Sequence, residues 1–271
     1  MEEDIIYHKG DKFKFYQFDF AKDNKYGYIF KKDKEFFDKY LKEGQWSKET
    51  NKEKEKDNLD KGIHSDKCFQ FGLRPQQIVG NMKEAKIFLL NLNPSFDVEK
   101  YLDFDDEEKL KDILEEVLAS NGSPNIEYPF YFLNPELKDT GGETWWNNGH
   151  HFKSYIEECY DIKKLAKLFC CIELIPYHAR KLPISINKML ECPSVKNVKD
   201  FVREVLIPKA KKEDIVIICL RSKKYWDIEK EINDKSYNVY FSPNPQRANF
   251  SINNEKSEHV KKIKELINGD K

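Results

Sequence analysis

The chain has 271 residues, enough for one domain with extensions or for two small domains. Its 47 basic and 48 acidic residues nearly cancel, which excludes the strongly basic composition of many nucleic-acid-binding proteins. A local basic surface around one pocket would be invisible in such a count. The N-terminus is acidic and no run of about 18 apolar residues occurs, so we expect neither a signal peptide nor a membrane-spanning helix.

The six cysteines form no CxxC pair and no His/Cys cluster with the spacing of metal ligands. Several lie in apolar runs, where a free cysteine behaves as a small hydrophobic residue. We therefore expect reduced thiols, no metal and no cofactor, in a cytoplasmic protein.

Residues 1–80 are predicted to form an N-terminal extension rich in aromatic and charged residues, and residues 81–271 the main domain. Residues 12–15 alternate Lys-Phe-Lys-Phe, a pattern typical of a half-buried strand. Residues 48–61 are almost entirely charged or polar, which indicates a solvated loop or helix, or a boundary between the extension and the main domain.

From residue 85 onwards, apolar runs alternate with amphipathic helical patterns. The predicted buried strands are residues 85–92, 165–175, 214–220 and 237–241. The predicted helices are residues 105–120, 151–164, 198–206 and 257–268. The alternative for residues 165–175 is a helix-to-strand passage, in which a helix leads directly into a strand. Because strands separated by helices pair in parallel, we expect an α/β fold, a three-layer α/β/α sandwich around a central four-stranded parallel sheet.

In such sheets ligands bind at the carboxyl ends of the strands, so the residues that follow each strand are the informative ones. The first predicted strand is followed by Asn93 and Pro94, and the last by Asn244 and Pro245. Each Asn-Pro step alone is typical of a turn that stops a strand.

Together and in this order, the two steps resemble the motifs of the uracil-DNA glycosylase superfamily. Residues 92–95 (Leu-Asn-Pro-Ser) are similar to its first motif, and residues 243–246 (Pro-Asn-Pro-Gln) to its second. The likeness is closest to the mismatch-specific branch, which has Asn in motif one, and it covers residues 80–270. The resemblance implies a monomeric, monofunctional DNA glycosylase that acts in base excision on a base flipped out of DNA.

The resemblance implies Asn93 and Asn244 as the catalytic residues. Hydrolysis of an N-glycosidic bond needs a water held against the sugar and hydrogen bonds to the departing base. Asn93 would position the water without acting as general base, because an amide cannot take a proton as a carboxylate can, and this predicts a slow enzyme. Asn244 would donate its side-chain N–H to the base. The alternative for both residues is a turn-forming role.

Two departures from the family pattern indicate a modified cytosine as the substrate. Where the uracil-specific branch has a tyrosine that blocks the C5 side of the base, this chain has Ser95, so the pocket would admit a C5 substituent. Glu173 stands where the family has a base-reading Asn, and an ionised Glu only accepts hydrogen bonds, which suits the exocyclic amine of cytosine. The alternative for Glu173 is a strand-end carboxylate paired with Arg180 or a nearby lysine. Hydroxymethylated or glucosylated cytosines of phage genomes would make the protein an antiviral defence enzyme.

Phe96 and His178 complete the predicted base-binding pocket. Packing in the core is the alternative for Phe96 and for the aromatic residues of residues 121–148, and a surface histidine or one with satisfied hydrogen bonds is the alternative for His178. The residues predicted to contact DNA are Arg180, Lys181, Arg221 and Arg247. The alternative for these cations is an ordinary solvated rim.

Two other functions fit the same pattern. One is a non-catalytic module of this fold that binds DNA, RNA or a protein. It is favoured by Asn93 in place of Asp, by Glu173 in place of Asn and by the neutral net charge. A nucleoside hydrolase could use the same pocket at the strand ends.

Overall fold

The computed structural model describes residues 5–8, 11–14, 20–48, 67–95, 108–120, 122–148, 151–159, 161–212, 214–242, 244–245, 248, 250 and 258–269. The strands of these residues are β1 (Ile5–His8), β2 (Asp11–Lys14), β3 (Phe20–Asp23), β4 (Gly27–Phe30), β5 (Trp46–Ser47), β6 (Phe69–Gln70), β7 (Ile78–Gly80), β8 (Ile87–Asn91), β9 (Phe169–Glu173), β10 (Val216–Cys219) and β11 (Val239–Phe241). The α-helices are α1 (Lys34–Tyr40), α2 (Glu108–Ala119), α3 (Gly141–Glu143), α4 (Lys153–Cys159), α5 (Ile162–Leu168), α6 (Ile186–Met189), α7 (Pro193–Phe201), α8 (Ile207–Lys211), α9 (Lys223–Trp226), α10 (Glu229–Asn233) and α11 (Glu258–Asn268). Short 3-10 turns occur at Lys31–Asp33, Tyr131–Leu133 and Pro135–Leu137, and π-helical segments at Thr144–Asn148 and Val202–Leu206.

The main sheet has five strands in the order β11-β10-β8-β9-β7. The four strands predicted from the sequence are present as β8, β9, β10 and β11, and they pair in parallel. The α/β class is therefore confirmed, but the prediction of a four-stranded parallel sheet is corrected, because β7 adds a fifth strand antiparallel to β9. β7 has only three residues, all buried, which is too short to give a recognisable apolar run or alternation.

Both faces of the sheet are covered by helices. Alternate residues of β8 point to opposite faces, so that Phe88 and Leu90 belong to one hydrophobic cluster and Ile87 and Leu89 to another. The first, the α7-side cluster, contains the apolar residues of α7 and α1. The second, the α2-side cluster, contains those of α2, α5 and α11.

The predicted helices differ from the observed ones mainly at their ends. The predicted helix of residues 151–164 is two helices, α4 and α5, and α5 is capped by Asp161, whose side chain accepts from the backbone N–H of Lys164 at 2.9 Å. Because α5 ends at Leu168 and β9 begins at Phe169, residues 165–175 are the helix-to-strand passage given as the alternative.

The N-terminal region packs against the main sheet. Phe37 of α1 and Phe71 lie with their ring centroids 5.1 and 5.2 Å from that of Tyr177. Residues on both sides of the predicted division at residue 80 thus share the α7-side cluster. The predicted strand at residues 12–15 corresponds to β2, which pairs with β1. Most of the charged run, residues 49–61, lies outside the described residues.

Five cysteines are buried and take part in no disulfide among the described residues: Cys68, Cys170, Cys171, Cys192 and Cys219. In the part of the chain that the structure describes, no helix combines the length and the apolar character needed to cross a membrane.

Candidate functional site

The most unusual polar contacts lie at the carboxyl ends of β8 and β9. Asn91 and Glu173 are the last residues of these strands and stand opposite each other in the parallel register. Asn91 Nδ2 donates to Glu173 Oε1 at 3.0 Å. Gln77, just before β7, approaches from the other side and donates its Nε2 to the backbone oxygen of Glu173 at 3.1 Å. The fifth strand therefore delivers a third polar side chain to this end of the sheet.

These three side chains are buried, yet each leaves one oxygen without a hydrogen-bond donor. Asn91 is 5% exposed, and Glu173 and Gln77 are each 2% exposed. Among the described residues, Asn91 Oδ1, Glu173 Oε2 and Gln77 Oε1 accept no hydrogen bond. A buried acceptor without a donor costs about 1–3 kcal/mol, and such groups are rare in native proteins and concentrate where function requires them. The cluster is therefore the strongest candidate for a ligand-binding site.

Burial also changes the protonation of Glu173. Removal from water is the largest cause that raises its pKa to about 8, against the opposing effects of the hydrogen bond from Asn91 and the positive charge of Arg221. At pH 7 the carboxyl group is therefore mostly protonated and can donate a hydrogen bond. This corrects the expectation of an ionised Glu173 that only accepts. The cation whose charge acts on Glu173 is Arg221, rather than the Arg180 proposed as the alternative.

The turn after β8 is held against the segment that follows β9. Asn93 Nδ2 donates to the backbone oxygens of Pro94 and Ala179, both at 2.9 Å. His178 Nδ1 lies 3.2 Å from the backbone oxygen of Ser95. The structure thus brings Asn93 and Ser95 of this turn next to His178 and Ala179. Because the Asn93 amide nitrogen is committed to two carbonyl groups, its Oδ1 is the atom suited to accept from a water.

His178 is a buried, neutral side chain. Burial lowers its pKa to about 4, so that the imidazole is uncharged at pH 7. The tautomer with a proton on Nδ1 donates to Ser95, whose own side chain is exposed. His178 therefore contacts the turn after β8 through the Ser95 backbone.

A buried network holds this segment from the opposite side. Tyr177 donates its hydroxyl hydrogen to Asp33 Oδ2 at 2.6 Å, and the backbone N–H of Ser194 donates to Asp33 Oδ1 at 2.9 Å. The Tyr177 hydroxyl also accepts from the backbone N–H of Phe30 at 3.2 Å. The N-terminal region and α7 thus fix the residue next to His178, a link that no sequence motif indicated.

Asn244 lies farther away, after the edge strand β11. β10 stands between β11 and β8, and the backbone N–H of Asn244 donates to Ser242 Oγ at 3.2 Å. β10 therefore separates the end of β11 from the end of β8, where Asn93 follows. Phe250 anchors the chain beyond Asn244, because its backbone oxygen accepts from the Tyr155 hydroxyl at 2.6 Å.

The remaining predicted site residues have different surroundings. Phe96 and Arg247 lie outside the described residues. Arg180 and Lys181 are exposed, consistent with the predicted contact with DNA phosphates, whereas Arg221 is half-buried close to Glu173. The core-packing alternative is confirmed for the four aromatic residues of the long loop that are buried in the α2-side cluster: Phe130, Tyr131, Phe132 and Trp146.

Within the described residues, no three His, Cys, Asp or Glu side chains come together as a metal site. The polar groups at the carboxyl ends of β8 and β9 are instead amides, a neutral carboxyl and a neutral imidazole. Such a set can orient a ligand by hydrogen bonds and shield it from water. Comparisons of the chain with models of protein families, with curated proteins and with solved structures found no match.

Proposed function

We propose that the protein is a monofunctional DNA glycosylase. It hydrolyses the N-glycosidic bond of a flipped-out, C5-modified cytosine and leaves an abasic site. The observation that carries this proposal is the juxtaposition of the Asn93 turn with the buried Asn91–Glu173 pair at the carboxyl end of the sheet. Parallel α/β sheets bind their ligands at this end. The resemblance of residues 92–95 and 243–246 to the uracil-DNA glycosylase motifs supports the choice of chemistry and a glycosylase-like fold.

In this mechanism Asn93 holds the attacking water. Its Oδ1 accepts a hydrogen bond from the water, while the two bonds from Nδ2 keep the amide plane fixed. No proton is transferred to Asn93, so departure of the base must run ahead of water attack, which makes the reaction slow. The base leaves with the electron pair of the N-glycosidic bond, and the proton that the water loses as its oxygen bonds the sugar carbon passes to the departing base. Asn244 donates to the departing base and offsets its developing negative charge.

The surroundings of Ser95 support a base with a C5 substituent. Its side chain is small and exposed, and the contact of its backbone oxygen with His178 fixes the turn. The exposed Arg180 and Lys181 lie just beyond His178 and suit contacts with DNA phosphates. A glycosylase that removes hydroxymethylated or glucosylated cytosine would act against phage genomes built from such bases.

The test is base release, measured by mass spectrometry, from genomic DNA containing unmodified cytosine, uracil, hydroxymethylcytosine or glucosylated hydroxymethylcytosine. We expect one modified cytosine to be released by the wild type and release to fall by about 100-fold or more in Asn93→Ala, as when an aligned polar group is removed from an active site. Asn233→Ala, the same substitution at an exposed position of α10, is the matched control and should keep the wild-type rate. Absence of release from all four DNAs would contradict the proposal.

A second candidate is a DNA-binding module without catalysis. It is favoured by the structural use of Asn93, whose Nδ2 bonds to Pro94 and Ala179 also explain the residue as a turn former. In this case the same DNAs would bind to the protein without loss of any base, and Asn93→Ala would weaken binding only through lower stability.

A further inference from the structure

Asn91 was not among the residues predicted for the site, yet its side chain has one polar atom left that can bind a ligand. Its Nδ2 donates to Glu173 Oε1, so Oδ1 remains as an acceptor. Its backbone oxygen is held by Trp226 Nε1 at 3.1 Å and by the backbone N–H of Leu174 at 3.3 Å. Three hydrogen bonds thus hold the residue, one at Nδ2 of the side chain and two at the backbone oxygen, while Oδ1 has no donor among the described residues. A side chain positioned in this way before any ligand binds lowers the entropy cost of binding.

Glu173 supplies the complementary group. Because Oε1 accepts from Asn91, the proton of the neutral acid belongs on Oε2, which is buried and has no partner among the described residues. The other groups that face this carboxyl are the Cys171 thiol, 3.9 Å from Oε1, and the charge of Arg221. The two side chains therefore present one acceptor, Asn91 Oδ1, and one donor, Glu173 Oε2–H.

Resting on the proposed function, we propose that Asn91 and Glu173 form a base-reading pair for the amino edge of cytosine. Asn91 Oδ1 accepts an N–H of the exocyclic amine, and Glu173 Oε2–H donates to the ring nitrogen N3. Uracil in the same orientation has a carbonyl in place of the amine and an N–H in place of the ring acceptor. Both contacts would then become repulsive, and the pair selects the amino base over the oxo base with the same C5 substituent.

The protonation of Glu173 makes this selection dependent on pH. Because burial raises the pKa of Glu173 to about 8, the proton that is donated to N3 is present at pH 7 and is lost as the pH rises above about 8. Glutamine at this position keeps one atom that accepts from Asn91 and one N–H that donates, at every pH. Glu173→Gln therefore imitates the reading form of the acid.

The experiment compares four DNA duplexes that carry 5-hydroxymethylcytosine or 5-hydroxymethyluracil, each with and without glucose on the hydroxymethyl group. The measured quantity is the ratio of the release rates of the cytosine and uracil bases with the same substituent, at pH 7 and pH 9. We expect the wild type to prefer the cytosine base and to lose activity at pH 9. Glu173→Gln should keep the preference at both pH values, and Asn91→Leu should lower it by about tenfold or more. Unfolding in urea checks that each variant is folded.

Three outcomes would overturn the base-reading pair. If Asn91→Leu slows both bases equally, the role of Asn91 is structural, and if Glu173→Gln abolishes release, Glu173 works as an anion. In both cases base release by the wild type would leave the glycosylase proposal intact. If the wild type releases no base from these duplexes or from the genomic DNAs, the proposed function fails and the base-reading pair fails with it.

Discussion

Asp33 and Glu173 are both buried carboxylic acids, but the protein uses their oxygen atoms differently. Both Asp33 oxygens accept hydrogen bonds, from Tyr177 and from Ser194. Glu173 accepts at Oε1, whereas Oε2 has no partner among the described residues. Burial raises the pKa of both groups. A buried carboxyl group whose two oxygens both have hydrogen-bond partners stabilises the fold, whereas one with an unpartnered oxygen can still bond a ligand.

The two networks are also connected through the chain. Tyr177, held by Asp33, precedes the segment in which His178 and Ala179 contact the Asn93 turn. The N-terminal region lies outside residues 81–271, which contain the residues of the proposed site. It nevertheless supports the residues that carry the proposed chemistry.

The largest effect on stability is expected for Asp33→Ala. The substitution leaves the Tyr177 hydroxyl and the Ser194 N–H without an acceptor in the core, at a cost of about 1–3 kcal/mol for each. We expect the free energy of unfolding in urea to fall by about 2–6 kcal/mol. Asp200→Ala, which removes a partly exposed carboxylate that bonds the exposed Arg203, should cost less than about 1 kcal/mol. Equal losses in the two variants would contradict the structural role of Asp33.

Gly80→Ala tests the docking of β7, which brings Gln77 to Glu173. Gly80 has φ +128°, and a Cβ there would come within 2.6 Å of the Phe169 oxygen and 2.7 Å of Cys170 Cα. Since both are backbone atoms of β9, we expect a loss of about 2–4 kcal/mol from strain and displacement of the strand. Gly44 also has a positive φ, but a Cβ there would meet open space, so Gly44→Ala should cost only about 1 kcal/mol. A small loss for Gly80→Ala would show that β7 is not held closely against β9.

The difference in free energy of unfolding between Glu173→Gln and the wild type is expected to depend on pH. The folded protein holds the Glu173 proton up to pH about 8 and the unfolded chain only to about its ordinary pKa of 4.5. The contribution of Glu173 to stability is therefore full below that ordinary value and is lost as the pH rises towards 8, by at most about 1.4 kcal/mol per pH unit. Urea unfolding of both proteins at pH 5, 7 and 9 should show the variant gaining stability relative to the wild type with each step. A constant difference would mean that Glu173 is already ionised at pH 5.

The smallest effect is expected for Tyr155→Phe. It removes the hydrogen bond to the Phe250 oxygen, worth about 1 kcal/mol, but keeps the ring that stacks on Phe250. Because Phe250 anchors the chain beyond Asn244, base release should slow more than this loss of stability explains. A change in stability without any change in the rate of base release would mean that the hydrogen bond between Tyr155 and Phe250 does not support the site.

The sequence predicted those elements whose pattern of residues lies within one short segment of the chain. Continuous apolar runs predicted β8, β9, β10 and β11, whereas the roles given to Asn93, Ser95 and His178 from their positions after the strands stay predictions. β7 was missed because three residues carry too little pattern. Asn91 was not singled out because its side-chain contact is with Glu173, 82 residues away in the sequence. Asp33 was not singled out because its hydrogen-bond partner Tyr177 is 144 residues away. The protonation of Glu173 depends on its burial, which no local pattern reveals.

Two buried asparagines provide the most direct test of the site. Asn81 and Asn91 are both 5% exposed, but Asn81 uses both polar atoms, since Oδ1 accepts from Lys83 and Glu84 and Nδ2 donates to Pro124. The measurement is the rate of base release from glucosylated hydroxymethylcytosine DNA by Asn81→Leu and Asn91→Leu, together with the free energy of unfolding of each.

We predict that Asn81→Leu loses about 2–4 kcal/mol of stability and keeps the release rate of the folded protein. Asn91→Leu should stay within about 1 kcal/mol of the wild type and release the base at least about tenfold more slowly. Release at the wild-type rate by Asn91→Leu would contradict the account, because the unpartnered oxygens at the ends of β8 and β9 would then lie outside the site.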